Sequence, residues 1–213
     1  MTDDMADSGT MLVLGEWRLT PERVALHEPS GAGVVADLHL GYDQARAAAG
    51  DAVPIRRLED ALAPLGKLAS RGMRRLIVAG DLFERGVDAE LLRRFHDYLK
   101  GCGIEWTGWT PGNHDRGWEA YRDSAPLAPE GVRLGRWLVT HGDGEESVGP
   151  VVMGHWHPRV RHKGRVWPGY LVGIERLMLP AFSTDAAGTA RRGTFADGLR
   201  GFAIAHGRVV AAS

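Results

Sequence analysis

Five short apolar runs in this chain each end in a cluster of metal-ligating residue types, in the order Asp37-Leu38-His39, Gly80-Asp81, Gly112-Asn113-His114-Asp115, His141-Gly142-Asp143 and Gly154-His155-Trp156-His157. The runs are Gly33-Val34-Val35-Ala36, Leu76-Ile77-Val78-Ala79, Ile104 to Trp109, Trp137-Leu138-Val139 and Val151-Val152-Met153. They are short and rich in β-branched or aromatic residues, which is the pattern of buried strands. Clusters placed just past the carboxyl ends of neighbouring strands converge on one rim, where α/β sheets bind their substrates.

The chemistry of the clusters follows from their donor atoms. Two divalent cations roughly 3.5–4 Å apart can share a water, lower its pKa and clamp a phosphoryl group during in-line displacement. Such a pair needs about four protein ligands per metal and one carboxylate able to bridge. Asp37, His39, Asp81, Asn113, His141, His155 and His157 supply two sets of four with one shared. All are nitrogen or oxygen donors, which favours Mn, Fe(II), Zn or Co over a thiolate-seeking metal or an all-oxygen Mg or Ca site. In Asp37-x-His39 and His155-x-His157 an extended backbone would put both side chains on one side, because strand side chains repeat every second residue. Taken singly, Gly80-Asp81 is also a turn or a helix cap, Asn113 is also a turn residue and His141 a hydrogen-bonded structural histidine. It is the ordered series that points to a two-metal phosphoesterase.

The rest of the chain supplies the frame. Ile55–Ser70 and Asp88–Lys100 carry apolar residues at helical spacing and read as amphipathic helices, with His96 turned to solvent. Met11–Leu19 and Arg23–His27 read as a hairpin about Thr20-Pro21-Glu22. Arg159–Val166, Tyr170–Met178 and Gly201–Val210 read as late strands, the last folded back at His206-Gly207. Helices interleaved with early strands and antiparallel strands later predict a two-sheet sandwich with outer helices. A chain of 213 residues, 44% hydrophobic, buries one substantial core. The expected division is a disordered acidic tail at 1–9 and one domain over 10–213. The tail lacks the basic and apolar regions of a secretion signal, and no run approaches the roughly 18 apolar residues of a membrane span. With Cys102 the only cysteine, no disulfide can form within the chain, so the expected location is the reducing cytoplasm.

Asp-x-His, Gly-Asp, Gly-Asn-His-Asp, His-Gly and Gly-His-x-His in this order resemble the calcineurin-like metallophosphoesterase superfamily. The resemblance implies an α/β fold, a four-layer αββα sandwich of two mixed sheets flanked by helices, with the dimetal site at strand ends. It implies that Asp37, His39 and His157 hold one metal, that Asn113, His141 and His155 hold the other, and that Asp81 bridges. His114 would be the histidine that protonates the leaving oxygen while a metal-bridging hydroxide attacks. A protonated imidazole beside an alkoxide is an effective general acid, and Asp115 would hydrogen-bond one ring nitrogen and fix its tautomer. Asp115 and Asp143 are expected behind the ligands and not among them.

Wording around the motifs is similar to a narrower prokaryotic branch, the ligase-associated DNA phosphoesterases. It lies in Val35 to Tyr42, Val53-Pro54, Gly112 to Arg116, Gly154 to Pro158 and Leu179-Pro180-Ala181-Phe182-Ser183. That branch implies a manganese-dependent phosphodiesterase or DNA endonuclease in repair, associated with a DNA ligase or helicase. The segment Ser183 to Thr189 departs from the Gly-rich stretch common in the branch, so substrate preference would differ if it borders the site. The same core motifs also serve phosphomonoesterases and nucleotide pyrophosphatases, and a non-catalytic interaction module can be built on this fold.

Charge qualifies the nucleic-acid reading. Lys plus Arg number 26 and Asp plus Glu 27, so no global positive field exists to hold a long polyanion. Locally, Arg159, Arg161, His162, Lys163 and Arg165 follow the last ligands. If extended, Arg159, Arg161 and Lys163 would share a face near the metals and steer phosphates in, with Arg159 and Arg161 the candidate substrate contacts; a solvated hairpin tip at Lys163-Gly164 is the competing reading. Trp156 is expected to point away from the metals into the core. Trp109 and Trp118 flank the Gly-Asn-His-Asp loop as packing residues or as platforms for a base.

Overall fold

A computed structural model describes residues 9–144, 148–186 and 198–212. The expected tail therefore falls almost wholly outside the described residues, as does the 187–189 part of the divergent segment.

Two mixed sheets face each other. The first runs β1-β2-β3-β4-β5-β6, from β1 (Met11–Val13), β2 (Trp17–Leu19), β3 (Ala25–His27), β4 (Ala32–Ala36), β5 (Arg75–Ala79) and β6 (Glu105–Thr110). β4, β5 and β6 are parallel, and the earlier strands join antiparallel. Parallel neighbours need long crossovers. These are supplied by α1 (Tyr42–Ala48) and α2 (Leu58–Ser70) between β4 and β5, and by α3 (Ala89–Gly101) between β5 and β6. In α2, Leu58, Leu62, Leu65 and Leu68 form one buried stripe; in α3, Leu92, Phe95 and Leu99 do the same. Both stripes pack with Val35, Leu76, Val78 and Trp109 in one core on the outer face of the first sheet. The Asp88 carboxylate caps α3 by accepting from the Leu91 amide at 2.9 Å. His96 is exposed, as expected.

The second sheet comprises β7 (Val132–Leu134), β8 (Trp137–Thr140), β9 (Val151–Met153), β10 (Arg159–His162), β11 (Arg165–Val172), β12 (Arg176–Met178), β13 (Arg200–Ala205) and β14 (Arg208–Ala211). Its order is β14-β13-β11-β12-β9-β8-β7, with β10 paired to β11. Here β8, β9 and β12 are the parallel members. The second core lies between the sheets, where Trp17 and Trp137 meet edge to face at 5.8 Å and pack with Ile77, Val139, Tyr170 and Phe202. The Tyr170 hydroxyl, buried there, donates to the Thr20 carbonyl at 2.8 Å. The parallel strands of both sheets end on one rim, where the amides of Phe182 and Ser183 donate to the carbonyls of Ala36 and Asp37.

Several boundaries differ from the sequence reading. Met11–Leu19 is two strands, because Leu14 and Gly15 both have positive φ and turn the chain back. Tyr170–Met178 breaks at Gly173–Glu175. The alanine-rich stretch after Tyr42 is the helix α1, and α2 begins only at Leu58, after Arg57 with extended backbone, leaving Ile55 outside the helix and exposed. The hairpin tips at Lys163-Gly164 and His206-Gly207 fall where expected. No helix among the described residues is long and apolar enough to cross a membrane.

Candidate metal centre

Five strands deliver the candidate ligands to the rim: Asp37 follows β4, Asp81 follows β5, Asn113 lies beyond β6, His141 follows β8 and His155 lies beyond β9. Asp37 is fully buried at the centre. Its Oδ2 accepts the His155 amide at 2.7 Å and lies 3.2 Å from His157 Nε2, while its Oδ1 lies 3.3 Å from His141 Nδ1 and accepts the Asp81 amide. His141 in turn reaches Asn113 Oδ1 at 3.2 Å, His155 Nδ1 at 3.1 Å and Asp81 Oδ2 at 3.8 Å. His39 and His157 sit edge to face with ring centroids 5.5 Å apart. The fold thus gathers all seven candidates.

They meet by a different local geometry from the one expected. Asp37, His39, His155 and His157 all have positive φ, at 53°, 50°, 62° and 42°. Neither pair is extended, so strand alternation does not align them. Each ligand is turned by a left-handed residue just past its strand, a conformation costly for non-glycine residues and concentrated at functional sites. The two loops steady each other, since the His39 amide donates to the Asp81 carbonyl and the Leu40 amide to the Leu82 carbonyl. Glycine makes the room. Gly80 has φ 101°, and a Cβ there would collide with the His141 ring and the Asp37 carboxylate; one at Gly112 would collide with Asp81.

The residues fit a metal pair on their own evidence. Among the described residues Nε2 of His39 is buried without a hydrogen-bond partner, a state that costs free energy unless something else engages it. Ligand atoms of Asp37, Asp81 and His141 lie within 4.8 Å of one another, as do those of His39, Glu84 and His114. Burial holds His39 down to about 4, with His157, His114 and His141 adding to the effect, so its ring is neutral and able to coordinate. Burial pushes the Asp37 carboxyl up, but His141 and His157 outweigh it and hold it below the usual carboxylate range. Asp81 is raised, chiefly by burial.

His114 and Asp115 behave differently from expectation. Asp115 does not touch the His114 ring. Its carboxylate is buried and accepts from the amides of Phe83 at 2.8 Å, Gly112 at 2.9 Å and Leu82 at 3.2 Å, and from Trp109 Nε1 at 3.3 Å. It therefore braces the loops carrying Asp81 and Asn113, while burial pushes its carboxyl up to about 7. The ring of His114 is held instead by the Glu84 backbone carbonyl, 2.8 Å from Nδ1. Its amide donates to Asp81 Oδ1 at 2.8 Å, which ties it to the candidate ligands. Glu84 was not singled out in the sequence. Its carboxylate also lies 3.0 Å from His39 Nδ1, and no motif spacing announces it. Asp143 reaches His141 Nε2 only at 4.0 Å.

Of the basic cluster, Arg161 is exposed and its Nη1 bonds the Gly164 carbonyl within the hairpin. Arg159 lines a cleft with His157. Trp109 is buried in the core, so packing is its role. Trp118 is half-buried under the Arg122 guanidinium at 5.1 Å. Trp156 is half-buried and leans edge-on against His155 at 5.3 Å, so it does not sit in the core as expected.

A two-sheet sandwich with carboxylates and histidines gathered at its strand ends is the architecture of a metal-dependent phosphoesterase. The sequence matches the calcineurin-like phosphoesterase family over residues 32–171, and the chain belongs to that family. Among solved structures, it is similar to the nuclease MPE of Pseudomonas putida, with TM-score 0.73 and 23% identity over 95% of this chain and 98% of that one. A search of curated proteins gave no significant match.

Proposed function

We propose that the protein is a two-metal phosphodiesterase acting on nucleic acid, with DNA as the first substrate to test. The observation that carries the reading is the single buried carboxylate of Asp37, in contact with both His141 and His157. This links the two histidine groups through one carboxylate. The resemblance of the motif wording to the ligase-associated branch, and the nuclease name of the solved relative, support a polynucleotide substrate and a repair setting beside a DNA ligase or helicase. The lone cysteine supports a reducing cytoplasm.

In this reading Asp37, His39 and His157 would hold one cation, Asn113, His141 and His155 the other, and Asp81 both; the mixed nitrogen and oxygen donors favour manganese. The cations would supply an activated water and neutralise charge on the phosphoryl group. The side chains do the rest. Asp81 is oriented by the His114 amide on Oδ1, leaving Oδ2 towards His141. The Glu84 carbonyl can only accept, so His114 Nδ1 carries a proton. When the ring is doubly protonated, Nε2–H is the proton available to the departing alcohol.

The test is hydrolysis of a nitrophenyl phosphodiester against the matching monoester with added manganese. Dominant diester turnover is expected. Dominant monoester turnover would instead assign a phosphomonoesterase.

A further inference from the structure

Beside His157 a cleft of about 90 Å³ opens between β10 and the segment after β12, bordered by Arg23, Arg159, Ser183 and Thr184. Among the described residues no carboxylate lines it. Arg23 is half-buried with φ 64°, and its Nη1 is spent on the carbonyls of Ser183 at 2.7 Å, Ala181 at 3.1 Å and Phe182 at 3.4 Å. Those bonds neutralise no charge. The carboxylate that acts on it, Asp185, is already paired with Arg56, which is also held by Asp43 and bonds Thr184. Arg159 has no ion pair among the described residues, and it faces Arg23 as a like charge. Burial, with Arg159 adding to it, pushes the Arg23 guanidinium below its ordinary range. Two guanidinium groups with no carboxylate lining the cleft, two hydroxyls and space for roughly three waters describe a site for a tetrahedral oxyanion.

Resting on the phosphodiesterase reading, we propose that this cleft binds the internucleotide phosphate next to the scissile one, with Arg159 and Arg23 as its cationic contacts. The substrate is then a chain with consecutive phosphates and not an isolated diester. Ser183, Thr184 and Ala186, from the start of the stretch that departs from the Gly-rich pattern, form one wall of the cleft.

The experiment measures anisotropy of a labelled, cleavage-resistant phosphorothioate oligothymidylate on the purified protein across a salt series. Arg159→Ala should lower the slope of log affinity against log salt by about 0.7, one single-strand phosphate contact. Arg159→Glu should weaken binding by ~10-fold or more, the scale of one charge-assisted contact. Arg133→Ala, on β7, is the charge-matched control and should leave both unchanged. Arg23→Lys tests the second cation while keeping its charge, and should bind more tightly than Arg23→Gln. Equal slopes and affinities for the Arg159 variants and the control would overturn the proposal. So would displacement of the probe by thymidine triphosphate but not by an unlabelled tetranucleotide, since that assigns a terminal phosphate chain. Binding that follows Arg159 without any turnover of a diester would sink the phosphodiesterase reading and leave the subsite standing. Diester turnover with variants that match the control would do the reverse.

Discussion

The Nδ1 atom of His114 lies 2.8 Å from the backbone carbonyl oxygen of Glu84, and the Glu84 carboxylate lies 3.0 Å from Nδ1 of His39. One residue thus anchors a candidate acid through its main chain and a candidate ligand through its side chain. A backbone acceptor cannot take up a different protonation state, so the tautomer of His114 does not depend on a neighbouring carboxylate.

If His114 delivers the leaving-group proton, its loss should matter most where the leaving alcohol is poor. His114→Ala should lower kcat on a dinucleotide by about 10²–10⁴-fold, the usual range for general acid catalysis. A nitrophenyl diester, whose leaving group departs unprotonated, should lose much less. Steady-state rates on both substrates decide it, and equal losses would remove the acid role.

If Asp81 serves both cations, as proposed, Asp81→Asn should reduce bound metal as well as rate. Manganese should raise the thermal midpoint of the parent, because a ligand at 100 times its Kd stabilises by about 2.7 kcal/mol, and a chelator should reverse the rise. Differential scanning fluorimetry with metal analysis by mass spectrometry reads both. An unaltered metal content in Asp81→Asn would rule out the bridging role.

At Gly80 the obstacle is space as much as conformation. Gly80→Ala places a methyl group against His141 and Asp37 on a backbone with φ 101°. The expected result is a folded protein by circular dichroism whose manganese affinity falls by roughly 10–100-fold, as when a ligand loses its support. Titration calorimetry measures it, and parent-like affinity would show that the site relaxes around the added methyl.

The parallel strands and the convergence of candidate donors at their ends were legible in the sequence because buried strands leave short apolar runs and metals demand a narrow set of donors. What was not legible depends on backbone dihedrals and distant contacts. Asp37 and His39 meet through left-handed turns and not strand alternation, yet both geometries produce the same Asp-x-His spacing. Glu84 acts through a carbonyl, which carries no residue-type signal at all. Asp115 was given the nearest histidine as partner, whereas burial directs its carboxylate to main-chain amides of Leu82 and Phe83, which no sequence spacing relates to it. The division of Met11–Leu19 turned on Leu14, a residue that rarely adopts positive φ.

Away from the metals, His27 offers a test of the core through pH. Its ring is buried against Trp17 at 4.8 Å, with Nδ1 2.8 Å from Ser30 Oγ. Burial pushes its pKa below the ordinary value, and the Glu16 carboxylate offsets this only in part. Above the unfolded pKa of about 6.5 both states are neutral there, and the contribution to stability is complete. As pH falls below that value the unfolded chain takes up a proton that the folded chain resists, so stability is lost until the depressed folded pKa is reached. Urea unfolding should therefore show a smaller loss between pH 7.5 and 5.5 for His27→Asn than for the parent. The substitution removes this ring alone, so the difference between the two profiles reports on it. Parallel pH profiles would mean that Glu16 compensates burial fully and that the ring charges without cost to the fold.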